Sequence, residues 1–188
     1  DMAEGRRWVR QHAAGQKVLN LFAYTCAFSV AALQGGAGRV VNVDMARGAL
    51  TIGRRNHQLN GLPTASQPAH PGASFLDHDV FSSWAKIRRG GPYGLVILDP
   101  PSFQKGSFVA TKDYARLVRR LPELLAPGGQ ALLCLNTPKL GPDFLLELLA
   151  REAPAMRVDE RLANPPAFAD VSADRALKVF VATHHTNA

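Results

Sequence analysis

The chain lacks the two glycine-rich fingerprints that cradle phosphates. Its 188 residues contain neither G-x-G-x-x-G nor G-x-x-x-x-G-K-[ST]. A dinucleotide pyrophosphate needs glycines for the backbone to approach it, and a nucleoside triphosphate needs the lysine-bearing loop. NAD, FAD and NTP sites are therefore disfavoured. Cysteine is scarce: Cys26 and Cys134 stand far apart in apolar surroundings, which predicts free thiols in a reducing compartment rather than a disulfide framework. The six histidines are scattered, no Cys/His spacing matches a zinc site, and no metal is expected. No apolar run approaches the roughly 20 residues that span a bilayer. The opening D-M-A-E-G-R-R-W-V-R has no apolar signal-peptide core. A cytoplasmic protein with no membrane association is the expectation.

Acidic residues are also few: 15, against 22 lysines and arginines, for a net charge of +7. The basic residues cluster at Arg6–Arg10, Arg54–Arg55, Lys86–Arg89 and Arg116–Arg120. Such an excess favours a polyanionic partner, with nucleic acid foremost.

What is present is alternation. Strands are expected at Lys17–Ala23, Arg39–Val43, Ser74–Leu76, Leu95–Leu98, Gln130–Leu135, Arg157–Leu162 and Leu177–Thr183. Between them lie helical patterns at Arg6–Ala14, Ala27–Leu33, Arg47–Leu59, Val80–Arg89, Asp113–Ala126 and Pro142–Arg151. Pro122 should kink the fifth or shift its boundary. Leu62–Ala73 and Gln104–Thr111 read as loops, the second as a flexible one, either a lid over substrate or a merely disordered loop. Strand–helix alternation predicts an α/β fold, one doubly wound domain over residues 1–188 with a largely parallel sheet. No internal repeat or linker interrupts it.

The most informative stretch is L-V-I-L-D-P-P-S-F, Leu95–Phe103. Four apolar residues form a strand buried on both faces, and two prolines then stiffen the exit. Asp99 and Phe103 thus lie just past a strand's carboxyl end, where open α/β sheets bind ligands. Asn20–Thr25, Asp44 and Asp79 end three other strands. Asp44 lies nineteen residues beyond Thr25, a spacing suited to a carboxylate that accepts ribose hydroxyls. Asp79 would receive an adenine amino group and Met45 would pack on the base. With phosphate fingerprints missing, a nucleoside without a phosphate remains, S-adenosylmethionine first among them.

The motifs V-L-N-L-F-A-Y-T (18–25), V-V-N-V-D (40–44), N-H-Q-L-N-G (56–61), H-D-V-F (78–81) and L-D-P-P-S-F (98–103), followed by K-D-Y (112–114), resemble the class I S-adenosylmethionine-dependent methyltransferases. More closely, they are similar to the catalytic domain of the bacterial 23S ribosomal RNA large-subunit methyltransferases of the RlmI/RlmK type. The resemblance implies a Rossmann-like seven-stranded sheet whose last strand is antiparallel. It places Asn20, Phe22, Ala23, Tyr24 and Thr25 at the methionine end of the cofactor, Asp44 and Met45 at the ribose and base, and His78, Asp79 and Val80 at the adenine. Asp99, Pro100, Pro101 and Phe103 would face the methyl acceptor, and 23S ribosomal RNA would be the partner. The family's glycines after Tyr-Thr are replaced by Cys26-Ala27, which is expected to narrow the cofactor turn. Family members commonly carry an additional N-terminal RNA-binding domain; RNA binding here is expected to rest on the chain's own basic surface, on a domain outside this sequence, or on a partner.

Methylation at pyrimidine C5 needs a thiolate that adds to C6. Thr137 stands where the family's cysteine would fall, and Cys134 lies in an apolar strand. Transfer to a base nitrogen needs no covalent intermediate, because the sulfonium is already activated and the protein mainly positions the acceptor. D-P-P-S-F resembles the [DN]-P-P-[FY] loop of amino-methylating enzymes, and Asn136 is placed like an asparagine of the guanine-N7 enzymes. An N-methyltransferase acting on a base in RNA, with guanine favoured, is the expectation. A methyltransferase for a protein or small molecule, and a cofactor- or RNA-binding module without turnover, remain as alternatives.

Overall fold

The computed structural model describes residues 1–65, 71–104, 108–168 and 172–185. In chain order the strands are β1 (Lys17–Leu21), β2 (Arg39–Asp44), β3 (Gly72–Asp77), β4 (Tyr93–Leu98), β5 (Phe103–Gln104), β6 (Phe108–Val109), β7 (Leu125–Leu135), β8 (Met156–Arg161) and β9 (Lys178–His184). The helices are α1 (Ala3–His12), α2 (Ala27–Gln34), α3 (Arg47–Leu59), α4 (Trp84–Arg89), α5 (Ala110–Val118), α6 (Leu121–Leu124) and α7 (Asp143–Glu152). Seven strands form one sheet in the order β3-β2-β1-β4-β7-β9-β8. β1 through β4 and β7 pair in parallel, while β9 runs against both β7 and β8. The expected antiparallel last strand is thus β9.

Parallel strands need helices on both faces, and pleating decides which side chains each face receives. Val18, Val40, Leu95, Ile97, Leu132 and Val181 point to one face, where Trp8 and Val9 of α1 and Phe28 and Ala32 of α2 cover them. Leu19, Leu21, Val41, Val96 and Leu133 point to the other, under Ile87, Tyr114, Leu117, Leu121 and Leu148. Val18, Leu19 and Leu21 of β1 and all of Leu95–Leu98 are essentially inaccessible. A polar group on such a strand must find a partner inside or emerge at an end. Between β1 and β4 the chain's progression across the sheet reverses, which opens a crevice at the carboxyl ends.

The structure differs from the pattern reading in three places. Residues 80–83 are turn rather than helix, and α4 begins at Trp84. There the Asp79 carboxylate accepts the Phe81 N–H at 3.1 Å and the Ser82 hydroxyl donates to the Asp79 carbonyl at 3.2 Å, bonds that compete with a helical turn. The segment read as Asp113–Ala126 is two helices. α5 already starts at Ala110, α6 carries Pro122 in its first turn, and Leu125 is extended. The loop read as Gln104–Thr111 instead contributes β5 and β6, which pair antiparallel as Phe103↔Val109 and Gln104↔Phe108; residues 105–107 lie outside the described ones.

One buried charge was not flagged by the pattern. Lys178 opens β9 with no exposure, and its ammonium donates to the carbonyls of Thr137 (2.7 Å), Leu140 (2.6 Å) and Asp174 (3.1 Å). It ties the loop after β7 to the sheet. Lys178→Met leaves these carbonyls without that donor in a buried place, and is expected to lower stability by about 2–4 kcal/mol, measured as a shift of the urea midpoint at unchanged m-value.

Candidate active site

A cavity of about 460 Å³ opens at the carboxyl edge of the sheet. Phe22 and Tyr24 enter it from the end of β1, Asp44 and Met45 from β2, Asp79 and Val80 from β3. Asp99, Pro100, Pro101 and Ser102 close it from β4, and Asn136 from β7. Five separate strand ends therefore converge, and the volume lies within the range of small-molecule sites.

The β1 exit has an unusual backbone. Phe22, Tyr24 and Cys26 all have positive φ, at 57°, 47° and 63°. This left-handed region costs an L-residue roughly 1–2 kcal/mol, so something must hold it. Asp44 does so: one carboxylate oxygen accepts the Tyr24 N–H at 2.8 Å and the other accepts the Ala46 N–H at 2.8 Å. The Ala23 N–H reaches the Val43 carbonyl, the Cys26 N–H closes onto Ala23, and the Asn56 amide donates to the Thr25 carbonyl at 3.0 Å. Cys26 does not enter the cavity. Its thiol is buried against α3, where a methyl on Gly53 would lie 2.6 Å from the sulfur.

Under this turn runs a chain of buried polar groups with a fixed direction. His57 Nδ1 lies 2.7 Å from the Gly53 carbonyl, which can only accept, so Nδ1 carries the proton. Nε2 then accepts from Ser29 Oγ at 2.9 Å, Ser29 accepts from the Asn42 amide at 3.0 Å, and Asn42 Oδ1 accepts from the Asn20 amide at 2.9 Å. Asn42 is locked in this orientation because its amide also donates to the Ser74 carbonyl at 3.2 Å. Burial holds the His57 pKa below its ordinary value despite the Gly53 bond, which keeps the ring neutral. The chain leaves Asn20 Oδ1 a buried acceptor with no hydrogen-bond partner among the described residues.

The opposite wall is the D-P-P-S loop. Burial raises the Asp99 carboxyl from 3.8 to about 6, against the opposing pull of the Arg6 charge. Ser102 Oγ donates to the Asn136 carbonyl, joining the loops after β4 and β7. Behind Phe22 stands an aromatic cluster. Phe108 meets it edge-on at 5.7 Å and stacks on Phe81 at 6.3 Å, and the Arg116 guanidinium lies 4.0 Å over the Phe81 ring. The K-D-Y residues support this wall: Asp113 accepts the Val109 N–H at 2.9 Å, and the Tyr114 hydroxyl donates to the Cys134 carbonyl at 2.9 Å. Burial pushes the Cys26 thiol up to about 12 and the Cys134 thiol well above its ordinary range. Neither thiol lines the cavity.

Not every candidate residue reaches the cavity wall. Asn20 and Ala23 are buried behind the turn, and Thr25 contributes its carbonyl to Asn56. His78 faces Lys86, with Nε2 and Nζ 2.6 Å apart, and Phe103 is 67% exposed on β5 beside the lining Ser102. Ala46, Ser102 and Phe108 were missed. Ser102 adjoins a quoted motif, but nothing in an aperiodic loop marked Phe108 as an inward ring. Among the described residues no group of three or more His, Cys, Asp or Glu side chains could hold a metal.

A parallel α/β sheet with acids at successive strand ends around such a cavity defines a Rossmann-like nucleoside-cofactor site. A family model described as S-adenosylmethionine-dependent methyltransferase matches residues 1–183, and the chain belongs to that family. It is 38% identical over 136 residues to ribosomal RNA large subunit methyltransferase I of Aeromonas hydrophila, covering 70% of this chain and 33% of that protein. To the Erwinia tasmaniensis protein of the same name it is 32% identical over 157 residues, 81% of this chain and 38% of that one. The chain thus spans little more than a third of these curated relatives. A crystal structure of SMU.776, designated a methyltransferase and complexed with SAH, superposes with a TM-score of 0.87 at 30% identity, over 97% of this chain and 49% of that one.

The family's cofactor is S-adenosylmethionine, and the residues fit it. Each Asp44 oxygen keeps a lone pair for a ribose hydroxyl after holding its N–H, and Asp79 keeps one carboxylate oxygen beyond the Phe81 bond. Asn20 Oδ1, without a partner among the described residues, lies buried behind the turn and not on the cavity wall.

Two outcomes follow for stability. Gly53→Ala is expected to cost about 1–3 kcal/mol by overpacking Cys26. Adding Cys26→Gly should recover most of it, because the second change removes both the thiol and a left-handed side chain; a double-mutant cycle in urea checks this. For Asp99, the folded state binds its proton more tightly than the unfolded state. Its contribution to stability is therefore fully present below the ordinary 3.8 and is lost as the pH rises through about 6. Asp99→Asn should then stabilise the protein by up to about 3 kcal/mol near neutral pH, and by nothing below about pH 4, in unfolding curves at the two pH values.

Proposed function

We propose that residues 1–188 form one catalytic domain that transfers a methyl group from S-adenosylmethionine to a base nitrogen of ribosomal RNA in the cytoplasm, guanine being the favoured base. The observation that carries this reading is Asp99: a partly buried carboxyl on a stiff loop, walling a cofactor-sized cavity that no thiol enters. The large-subunit ribosomal RNA methyltransferases among the relatives and the net charge of +7 support an RNA substrate.

The bound cofactor supplies a methyl group already activated by the sulfonium. Asp44 and Asp79 hold its nucleoside, and the turn at 22–25, with Asn20 buried behind it, holds its methionine end. The Asp99 carboxylate and a backbone carbonyl of the D-P-P segment accept hydrogen bonds from the acceptor's amino group. They thereby orient the nitrogen lone pair in line and take up positive charge as it develops. Phe103, exposed beside the cavity, stacks on the flipped base, and Asn136 adds a polar contact. Buried neutral thiols at Cys26 and Cys134 favour this course over covalent addition at carbon, which needs a thiolate.

Asp99→Ala should abolish methyl transfer while calorimetry shows S-adenosylmethionine still binding. In the wild type, kcat/KM should rise with pH through about 6, as the carboxyl ionises. Full activity in Asp99→Ala would overturn the assignment. Mass spectrometry of ribosomal RNA nucleosides from cells lacking the gene should show one methylated base lost, and an unchanged profile would remove the ribosomal substrate.

A further inference from the structure

A second cavity, of about 490 Å³, lies outside the site described above, in a groove over α2 between α1 and α3. One wall carries Arg6, Arg7 and Arg10 of α1; the other carries the amides of Asn56 and Asn60 of α3. Resting on the proposed RNA substrate, we propose that this groove is the track for the phosphodiester backbone of the RNA strand that delivers the target base.

The charge balance of the groove favours a polyanion. Among the described residues its three cationic side chains pair with two carboxylates, Asp1 at 3.2 Å from Arg6 and Glu4 at 2.8 Å from Arg7. Both are ion pairs between partly exposed side chains at the surface, the kind that contribute little and that a phosphate replaces. Arg10 makes no ion pair among the described residues and is exposed. α1 does not need these arginines for its packing: Trp8 and Val9 bury its apolar face, and the Trp8 indole donates to Glu160 at 3.1 Å. The arginines therefore lie on the side of the helix left to solvent.

The position of the groove suits this role. α1, α2 and α3 all run from the carboxyl edge of the sheet toward its amino edge, since each precedes or follows a strand of the parallel set. The upper end of the groove is Ala27, adjacent to Cys26 of the cofactor turn, and Asn56 is the side chain that holds the Thr25 carbonyl. Arg6, at the same end, is near enough for its charge to act on Asp99. The amide wall is already ordered, with Gln34 donating to Asn60 at 3.1 Å and Asn60 to the Asn56 carbonyl at 2.8 Å. A backbone lying in the groove would leave it beside the catalytic loop, one strand end from Asp99. A cationic groove that follows the backbone is how single strands are held without sequence readout.

The test is the salt dependence of binding of a fluorescein-labelled oligouridine to the full protein. The variant is Arg7→Gln with Arg10→Gln, and Arg88→Gln with Arg89→Gln on the opposite face is the control. Losing two phosphate contacts should reduce the slope of log K against log salt by about 1.4. The control pair, and Arg7→Lys with Arg10→Lys, should keep the wild-type slope, and SAH affinity should be the same in all four proteins. A wild-type slope in the Arg7/Arg10 glutamine variant, or an equal loss in the control, overturns the groove while leaving the RNA substrate standing. Wild-type protein that binds with no salt dependence overturns the RNA reading itself, and the groove with it.

Discussion

The Asp44 carboxylate is the interaction on which the site depends. Three non-glycine residues out of five hold left-handed backbone at the β1 exit, a conformation that nothing in their own chemistry favours. Asp44 offsets that cost with two charge-assisted bonds to backbone N–H groups, one after β1 and one after β2. The turn thereby obtains without glycine the backbone shape usually reached with it. The same residue lines the cavity, so the group that shapes the turn also forms part of the pocket wall. Parallel pairing of β1 with β2 sets the distance, because it brings the two strands to the same edge in register, Leu21 opposite Val43.

The remainder of the pocket follows from strands buried on both faces. Asn20 and Asn42 are polar residues inside such strands, and each must be satisfied internally or carry a function. Asn42 is satisfied through Ser29 and Ser74, which forces Asn20 to present an unpaired oxygen. Asp99 is the corresponding cost on the opposite wall: a carboxyl whose burial raises its pKa toward the physiological range. A fold selected for stability alone would keep neither group. Their coincidence at one edge of one sheet is an argument for function independent of any relative.

Much of this was legible in the chain. Seven strands and the major helices follow from periodicity and from glycine and proline stops, since burial on two faces writes itself as V-L-N-L and L-V-I-L. Asp44 and Asp99 were identifiable because each follows such a run directly, and Asp79 because it closes the exit of the short strand ending near Leu76. The failures have local causes. The helix expected from Val80 is displaced because Asp79 bonds the backbone of its own turn. α5 begins three residues early because Asp113 reaches back to the Val109 N–H, a contact that side-chain periodicity does not report. Phe108 was passed over because a ring in an aperiodic loop has no face until Phe22 and Phe81 are positioned around it.

The sequence by itself determined the α/β class, the alternation of elements, and the identity of the acids at the strand ends. These are consequences of nearest-neighbour chemistry: apolar runs, breakers and charge. Only the tertiary structure decided that Lys178 buries its ammonium against three carbonyls under the Asn136 loop, and that Cys26 turns toward Gly53 rather than into the cavity. It alone set the direction of the Asn20–His57 chain and aligned the three arginines of α1 along a groove. Each of these depends on partners far away in sequence, and no local rule specifies a partner before the sheet order has been fixed.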